Sequence, residues 1–256
     1  MSTGQEPLLR VEQVQKYYGA QGCVTKALDQ LDFTVRQGEY VGIMGASGSG
    51  KTTLLNCIST IDSVSAGHVF LGGVDLTALD EADIAAFRRD NLGFVFQDFN
   101  LLDALTLEEN IALPLTVQAV PPAQIDARVH AIAARLQLEE ALKKFPPQVS
   151  GGQKQRCAFA RAVICNPKLV MADEPTGALD SHAARVLLEI MADLNRTLQT
   201  TILMVTHDPL CASYAGRVLF LKDGRSFNEI LKGEKTRAVF YHEILDVLSL
   251  LGGDGL

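Results

Sequence analysis

No apolar stretch in this sequence approaches the ~20 residues that a membrane-spanning helix needs, so the chain is not expected to cross a bilayer. The opening segment, MSTGQEPLLRVEQ, has neither a basic stretch nor an apolar one and is read as no secretory signal. The five cysteines (Cys23, Cys57, Cys157, Cys165 and Cys211) form no C-x-x-C pair, which argues against a disulfide framework or a zinc ribbon and fits a reducing compartment. There is no excess of basic charge either. The net charge is −7 and the isoelectric point about 5.3, which weighs against bulk electrostatic binding of nucleic acid. Internal repeats, coiled-coil heptads and low-complexity segments are also missing.

What remains is a chain of 256 residues, 47% hydrophobic and 21% charged, long enough to bury a sizeable core. Leu8 to Val14 and Ala27 to Val35 alternate in part, as strands do, around a Gly-containing loop. Tyr40 to Met44, Gly67 to Leu71, Leu92 to Gln97 and Val218 to Leu221 read as further strands. Leu169 to Ala172 and Thr201 to Val205 are continuous apolar runs, the pattern of central parallel strands covered on both faces. Lys51 to Ser59 is helix-compatible. Ile125, Val129, Ile132 and Leu136 recur at helical spacing, which predicts an amphipathic helix over Ala123 to Leu142, between two Pro-Pro pairs. The expectation is a single α/β domain over residues 1–256, with a helical subdomain at about 98–165 and a C-terminal tail at about 225–256.

Chemistry enters at GASGSGKT, Gly45 to Thr52, which fits G-x-x-x-x-G-K-[ST] with an apolar strand before it and a helix after it. Gly45, Ala46, Ser47, Gly48, Ser49 and Gly50 can turn backbone N–H groups inward around phosphates, and the N-terminus of the helix opening at Lys51, Thr52 and Thr53 adds partial positive charge. Lys51 can reach the β- and γ-phosphates, and the Thr52 hydroxyl can ligate Mg²⁺. The run KLVMADE ends in two carboxylates. In isolation that is an ordinary solvated strand end. Downstream of a phosphate loop, Asp173 reads as a Mg²⁺ holder and Glu174 as the group that polarises an attacking water. VSGGQ, with Ser150, Gly151, Gly152 and Gln153, precedes a helix-compatible run and is either a helix N-cap or a presenter of N–H groups to an anion.

With these segments in this order, the chain resembles the ABC ATPase family over nearly its whole length. VSGGQ is close to the family's LSGGQ signature, with Val149 in place of Leu. The resemblance implies a P-loop NTPase of the ABC type: a mostly parallel core sheet, an antiparallel β subdomain and a helical insertion. It also implies roles for Gln97 in FVFQDFNLL (a Mg²⁺ and water contact), Asp180 in PTGALD, His207 in TILMVTHDP (a γ-phosphate contact) and Tyr18 in KYYG (an adenine-stacking ring, with Tyr17 as its neighbour and rival). The implied catalytic set is Glu174, His207 and Lys51. The implied metal set is Thr52, Gln97 and Asp173. ATP and Mg²⁺ are the implied cofactors.

Because the family's signature completes the phosphate loop of another subunit, the resemblance further implies an ATP-dependent head-to-tail homodimer. It also implies an integral-membrane permease as partner, no nucleic acid, and a peripheral place on the cytoplasmic face of the membrane. Long coiled coils would point to a DNA-repair or chromosome-structure ABC protein and a second cassette to a ribosome-acting one, and neither is seen; a P-loop kinase or GTPase would have no reason to carry SGGQ followed by ADEPTGALD.

VTKALDQLDFTVRQGEYVGIMGASGSGKTTLLN is similar to ATPases paired with large-loop permeases. DFNLLDALTLEENIALPL and the tail DGRSFNEILKGEKTRAVFYHEILDVLSLLGG are similar to the bacitracin-type antimicrobial-peptide resistance branch; lipoprotein-release, macrolide-export and cell-division ATPases are the alternatives. The family pattern puts permease contact just after Gln97, with Phe99, Leu101, Leu102 and Leu105 as candidates. In the tail, Phe240, Ile244, Val247 and Leu248 predict an amphipathic helix over Thr236 to Leu250, closed by Gly252-Gly253. Its apolar face packs either on the same chain or across a subunit interface.

Overall fold

The structure is a computed structural model that describes residues 6–19 and 24–252. Cys23 and Gly253 lie outside the described residues. The core is a six-stranded sheet in the order β10(Arg225–Leu231), β9(Arg217–Lys222), β3(Tyr40–Met44), β8(Ile202–Val205), β7(Leu169–Asp173), β6(Leu92–Val95). β9, β3, β8, β7 and β6 run parallel, and β10 pairs antiparallel to β9 at one edge. A separate antiparallel sheet has the order β2(Thr25–Val35), β1(Leu9–Tyr18), β4(Ala66–Leu71), β5(Val74–Asp75). The expected mixture of a mostly parallel core with an antiparallel subdomain is therefore present.

The continuous apolar runs of the central strands follow from their position. Side chains on a strand alternate between faces, and here both faces are covered. Val170, Ala172, Ile202, Met204, Val218 and Phe220 enter one core, which the helices close. Leu169, Met171, Leu203, Val205, Leu219 and Leu221 enter the other, which is shared with the antiparallel sheet and with Leu54, Leu55 and Ile58 of α1(Lys51–Ile58).

The helical face is built by α3(Leu107–Val117), α4(Pro122–Arg135), α5(Gly151–Val163), α6(Ser181–Leu198), α7(Pro209–Ala212) and α8(Arg237–Gly252); α2(Glu81–Asn91) precedes β6. One sequence expectation is corrected. The helix expected over Ala123 to Leu142 ends at Arg135, because Gln137 takes a left-handed φ of 54°. Leu138, Ala141 and Leu142 remain buried, through a short 3₁₀ turn. In addition, α2, α3 and α6 were not anticipated from periodicity. α6 has a clear stripe, since Leu187, Ile190, Met191 and Leu194 are buried at i, i+3, i+4 and i+7. α2 buries no residue and so has no stripe to read.

The tail forms the expected helix, α8, on which Phe240, Ile244 and Val247 are buried in the chain's own core. That face is thus spent on the same chain, and the alternative, that it packs across a subunit interface, does not hold for these three residues. Leu250, further along, is 64% exposed. Among the described residues no helix is long and apolar enough to cross a membrane.

Candidate functional site

Parallel strands deliver their C-terminal ends to one edge of a sheet, and in open α/β sheets that edge is where ligands bind. Here β3 ends at Met44 and feeds the Gly45–Thr52 loop, β7 ends at Asp173, β8 leads to His207, and β6 leads to Gln97. Gly45, Ala46, Ser47, Gly48, Gly50, Lys51, Thr52, Thr53, Glu174 and His207 line one cleft of about 750 Å³.

The loop is tightly fixed. Gly50 caps α1 at φ +99°, and a Cβ there would fall 2.4 Å from the Ala27 carbonyl oxygen, so only glycine fits. The Lys51 ammonium is buried and donates to the carbonyls of Gly45 (2.9 Å) and Ala46 (2.8 Å). Burial holds its pKa below the ordinary lysine range, against the opposing pull of Glu174 and Asp173. The Ser49 hydroxyl is buried within the loop and has no hydrogen-bond partner among the described residues.

Across from the loop, the Thr52 hydroxyl lies 3.5 Å from Asp173 Oδ1. Burial raises the Asp173 pKa, the neighbouring charge of Glu174 adds to the rise, and Thr52 and Lys51 oppose it. Glu174 sits directly after the strand at φ 45°, a left-handed conformation that costs a non-glycine residue about 1–3 kcal/mol. Its N–H donates to the Val205 carbonyl (2.9 Å), which ties the end of β7 to the end of β8. Its Oε1 lies 2.8 Å from His207 Nδ1.

The remaining expected residues divide. Gln97 makes no hydrogen bond to Thr52 or Asp173; its carboxamide lies against Gly177, where a Cβ would meet Nε2 at 3.0 Å. Asp180 caps α6, accepting from the N–H groups of His182 and Ala183 (2.9 Å each), and these bonds hold its pKa down. Tyr18 does not line the cleft; its hydroxyl donates to Asp62 (2.7 Å). Tyr17 turns instead to Gln15 and Lys26.

Ser150, Gly151, Gly152 and Gln153 open α5 as a reciprocal capping box: the Ser150 hydroxyl accepts from Gln153 N–H (3.2 Å), and the Gln153 side chain accepts from Ser150 N–H (3.0 Å). None of the four lines the cleft of their own chain. A Cβ on Gly151 would rest against Leu179, Ala178 and Phe99, so the signature lies beside the Pro175–Asp180 stretch.

Four cleft residues were not anticipated as part of the site: Ala27 of β2, and Leu248, Leu251 and Gly252 from the end of α8. That helix was legible in the sequence, but the fold that carries its end to the phosphate loop was not. Of the candidate permease contacts, Phe99, Leu101 and Leu105 are half-buried and Leu102 is 48% exposed, so none is sealed in the core. Cys57, Cys157 and Cys211 are buried, and their thiols are pushed up to about 11, 12 and 12 respectively, which makes them poor nucleophiles.

Residues 28–177 match the family model described as ABC transporter. The chain is 53% identical over 247 residues to the ABC transporter ATP-binding protein YxdL of Bacillus subtilis (strain 168), covering 96% of this chain and 95% of that protein. It is 46% identical over 246 residues to the bacitracin export ATP-binding protein BceA of Halalkalibacterium halodurans, covering 96% and 97%. A solved dimeric post-hydrolysis structure of the ATP-binding cassette MJ0796 bound to ADP and Pi is similar at a TM-score of 0.80 and 36% identity, covering 87% of this chain and 98% of that one.

Proposed function

The chain belongs to the ABC transporter family of ATP-binding proteins, and from that membership we propose that it hydrolyses ATP at sites shared between two copies and so drives a separate membrane permease in resistance to, or export of, antimicrobial peptides. The observation that carries the reading is the joining of phosphate loop, Glu174 and His207 in one cleft, with Glu174 and His207 2.8 Å apart.

The cleft suits a triphosphate. Ser49 offers a buried hydroxyl without a partner, and Lys51 holds a buried ammonium on two loop carbonyls that phosphate oxygens would replace. It also suits Mg²⁺. Thr52 and Asp173 are hard oxygen donors side by side, and the Asp173 charge, disfavoured by burial, would be offset by a cation. Among the described residues there is no cluster of three or more His, Cys, Asp or Glu able to hold a metal alone, which fits an ion that is held largely by phosphate and water. When bound, Mg²⁺ neutralises charge on the β- and γ-phosphates. Thr52 and Asp173 would hold it, and Gln97 would join them only by turning its carboxamide away from Gly177.

Glu174 takes the proton of a water whose oxygen bonds to the γ-phosphorus as the bond to the β–γ bridging oxygen breaks, leaving ADP and phosphate. His207 orients the Glu174 carboxylate. Adenine stacking is assigned to Tyr18 on the family resemblance alone, since its ring is outside the cleft lining. The N-terminus of α5, with Ser150, Gly151 and Gly152, serves the γ-phosphate of the other copy, and Asp180 lies in the stretch packed beside it. Similarity to a bacitracin export protein supports the peptide reading.

Glu174→Gln tests the site. Turnover is expected to fall by roughly 10²-fold or more with ATP binding kept, and the variant should run as an ATP-bound dimer on size exclusion. Near-parental turnover would sink the role given to Glu174. The peptide reading is tested on the complex with its permease: ATP turnover should rise when an antimicrobial peptide is added, and equal rates with and without it count against that reading.

A further inference from the structure

The loop carrying Gln97 leaves β6 after Val95 and reaches α3 at Leu107. Side chains from the helices hold its backbone at three points. At the outer end, the fully buried Asn110 accepts from the Leu102 N–H (2.8 Å), and its amide nitrogen lies 2.9–3.1 Å from the carbonyls of Leu102, Leu105 and Thr106. In the middle, Arg161 of α5 donates to the carbonyls of Asn100 (2.6 Å) and Phe99 (3.2 Å), two residues held at φ 48° and 61°. At the inner end, Gln155 of α5 donates to the carbonyls of Phe96 (3.0 Å) and Pro175 (2.7 Å).

Gln155 stands out by its position. Its side chain has no exposed surface, and it lies two residues beyond Gln153 in the signature helix. Phe96 immediately precedes Gln97, and Pro175 immediately follows Glu174. One planar amide, with one N–H to each side, thus spans the signature helix, the Gln97 loop and the segment leaving Glu174. The amide oxygen is buried without a partner among the described residues, an unfavourable arrangement that an apolar side chain of similar volume would avoid. The use of the group therefore lies in its two donors. Because both hydrogens are committed, a shift of the Gln97 loop either breaks a buried bond or carries Pro175 with it.

We propose that Gln155 is a positioning residue for hydrolysis, a strut that fixes Glu174 against the Gln97 loop and the signature helix and passes displacement of that loop to Glu174. This rests on the reading above, in which Glu174 and Gln97 act on the nucleotide.

Gln155→Met keeps length and volume and removes both donors. In the full chain, kcat for ATP is expected to fall about 10-fold while KM stays within about 2-fold, since the base is misplaced and the phosphate-binding groups are not. Backbone amides of residues 96–101 and 175–179 should exchange faster together. Gln155→Asn retains an amide that no longer reaches both carbonyls; it should behave alike, and it decides the matter if the methionine variant does not fold. Asn110→Ala is the control, because it removes buried hydrogen bonds from the same loop without touching Phe96 or Pro175. It should lower the melting temperature and leave kcat within about 3-fold of the parent. The inference is overturned if the Gln155 variants keep kcat within about 2-fold of the parent, or if Asn110→Ala lowers kcat as much for an equal loss of melting temperature. Glu174→Gln run alongside separates the two failures. Should it turn over normally, the reading of the site has failed; should it be inactive while the Gln155 variants are normal, only the strut has failed.

Discussion

The floor of the cleft and the Ser150–Gln153 face of α5 are built to opposite specifications. The floor holds charge that burial disfavours: Lys51 is pushed toward neutrality, Asp173 likewise, Ser49 has an unpartnered hydroxyl, and Glu174 sits in a left-handed conformation. The signature face is held by its own side chains. Ser150 and Gln153 satisfy one another's backbone in a capping box, and the face lies outside the cleft of its own chain. A site left internally unsatisfied is one that a ligand completes, and a helix N-terminus whose capping box engages the Ser150 and Gln153 N–H groups but not those of Gly151 and Gly152 can serve an anion held by another molecule. The contrast between the two regions is thus the physical argument for a shared site.

Lys51→Ala and Ser150→Arg should separate the regions most sharply. Loss of the ammonium removes the phosphate contact proposed for it, so Lys51→Ala is expected to weaken ATP binding by about 10²-fold or more. Ser150→Arg should leave ATP binding to the single chain near the parental level while turnover falls by a similar factor. Equilibrium binding of a fluorescent ATP analogue beside steady-state turnover measures both. If Ser150→Arg hydrolyses ATP normally, VSGGQ is a helix cap and nothing more.

A smaller but still large effect belongs to the tail, whose end lines the floor. Removal of residues 234–256 uncovers the partners of Phe240, Ile244 and Val247. Each buried side chain of this kind contributes about 1.5–3 kcal/mol, so the melting temperature should drop by roughly 10 °C or the protein become insoluble. An unchanged melting curve would show that α8 is not part of this chain's core.

The smallest effects should have opposite signs in the two regions. Ser150→Ala loses an N-cap and should destabilise the chain by about 1 kcal/mol. Asp173→Asn should stabilise the ATP-free chain. The Asp173 pKa is raised in the folded state, so ionisation opposes folding; the cost is present in full above the folded pKa and disappears as pH falls below the unfolded value. The gain from Asp173→Asn should therefore appear near neutral pH and vanish in acid. Thermal melts of both variants across pH check the pair, and a destabilising Asp173→Asn would mean that the buried carboxylate is compensated within the chain.

Much of this architecture was legible in the sequence because the determinants are local. GASGSGKT announces its loop through glycine spacing between an apolar strand and a helix. The central strands show as unbroken apolar runs because both faces are covered. Other elements were not legible, for identifiable reasons. α4 was overrun because Leu138, Ala141 and Leu142 continue the apolar supply in a turn that is no longer α-helical. α3 carries Pro114 in its interior, a residue that argues against a helix, and is held by the Thr106–Glu109 capping box instead. α6 could have been found from its stripe. The end of α8 in the cleft and the two bonds of Gln155 depend on contacts between segments far apart in sequence, which no local pattern encodes.

The central claim, that each site takes its floor from one copy and its signature from another, is tested most directly by a forced heterodimer of one Lys51→Ala subunit with one Ser150→Arg subunit. In a head-to-tail pair, both lesions fall in one composite site and the other site is intact. The account predicts about half of parental turnover if the sites are independent and less if they are coupled, against near-zero turnover for either mutant homodimer. A heterodimer as inactive as the Lys51→Ala and Ser150→Arg homodimers would fit floor and signature acting within a single chain and would contradict the account.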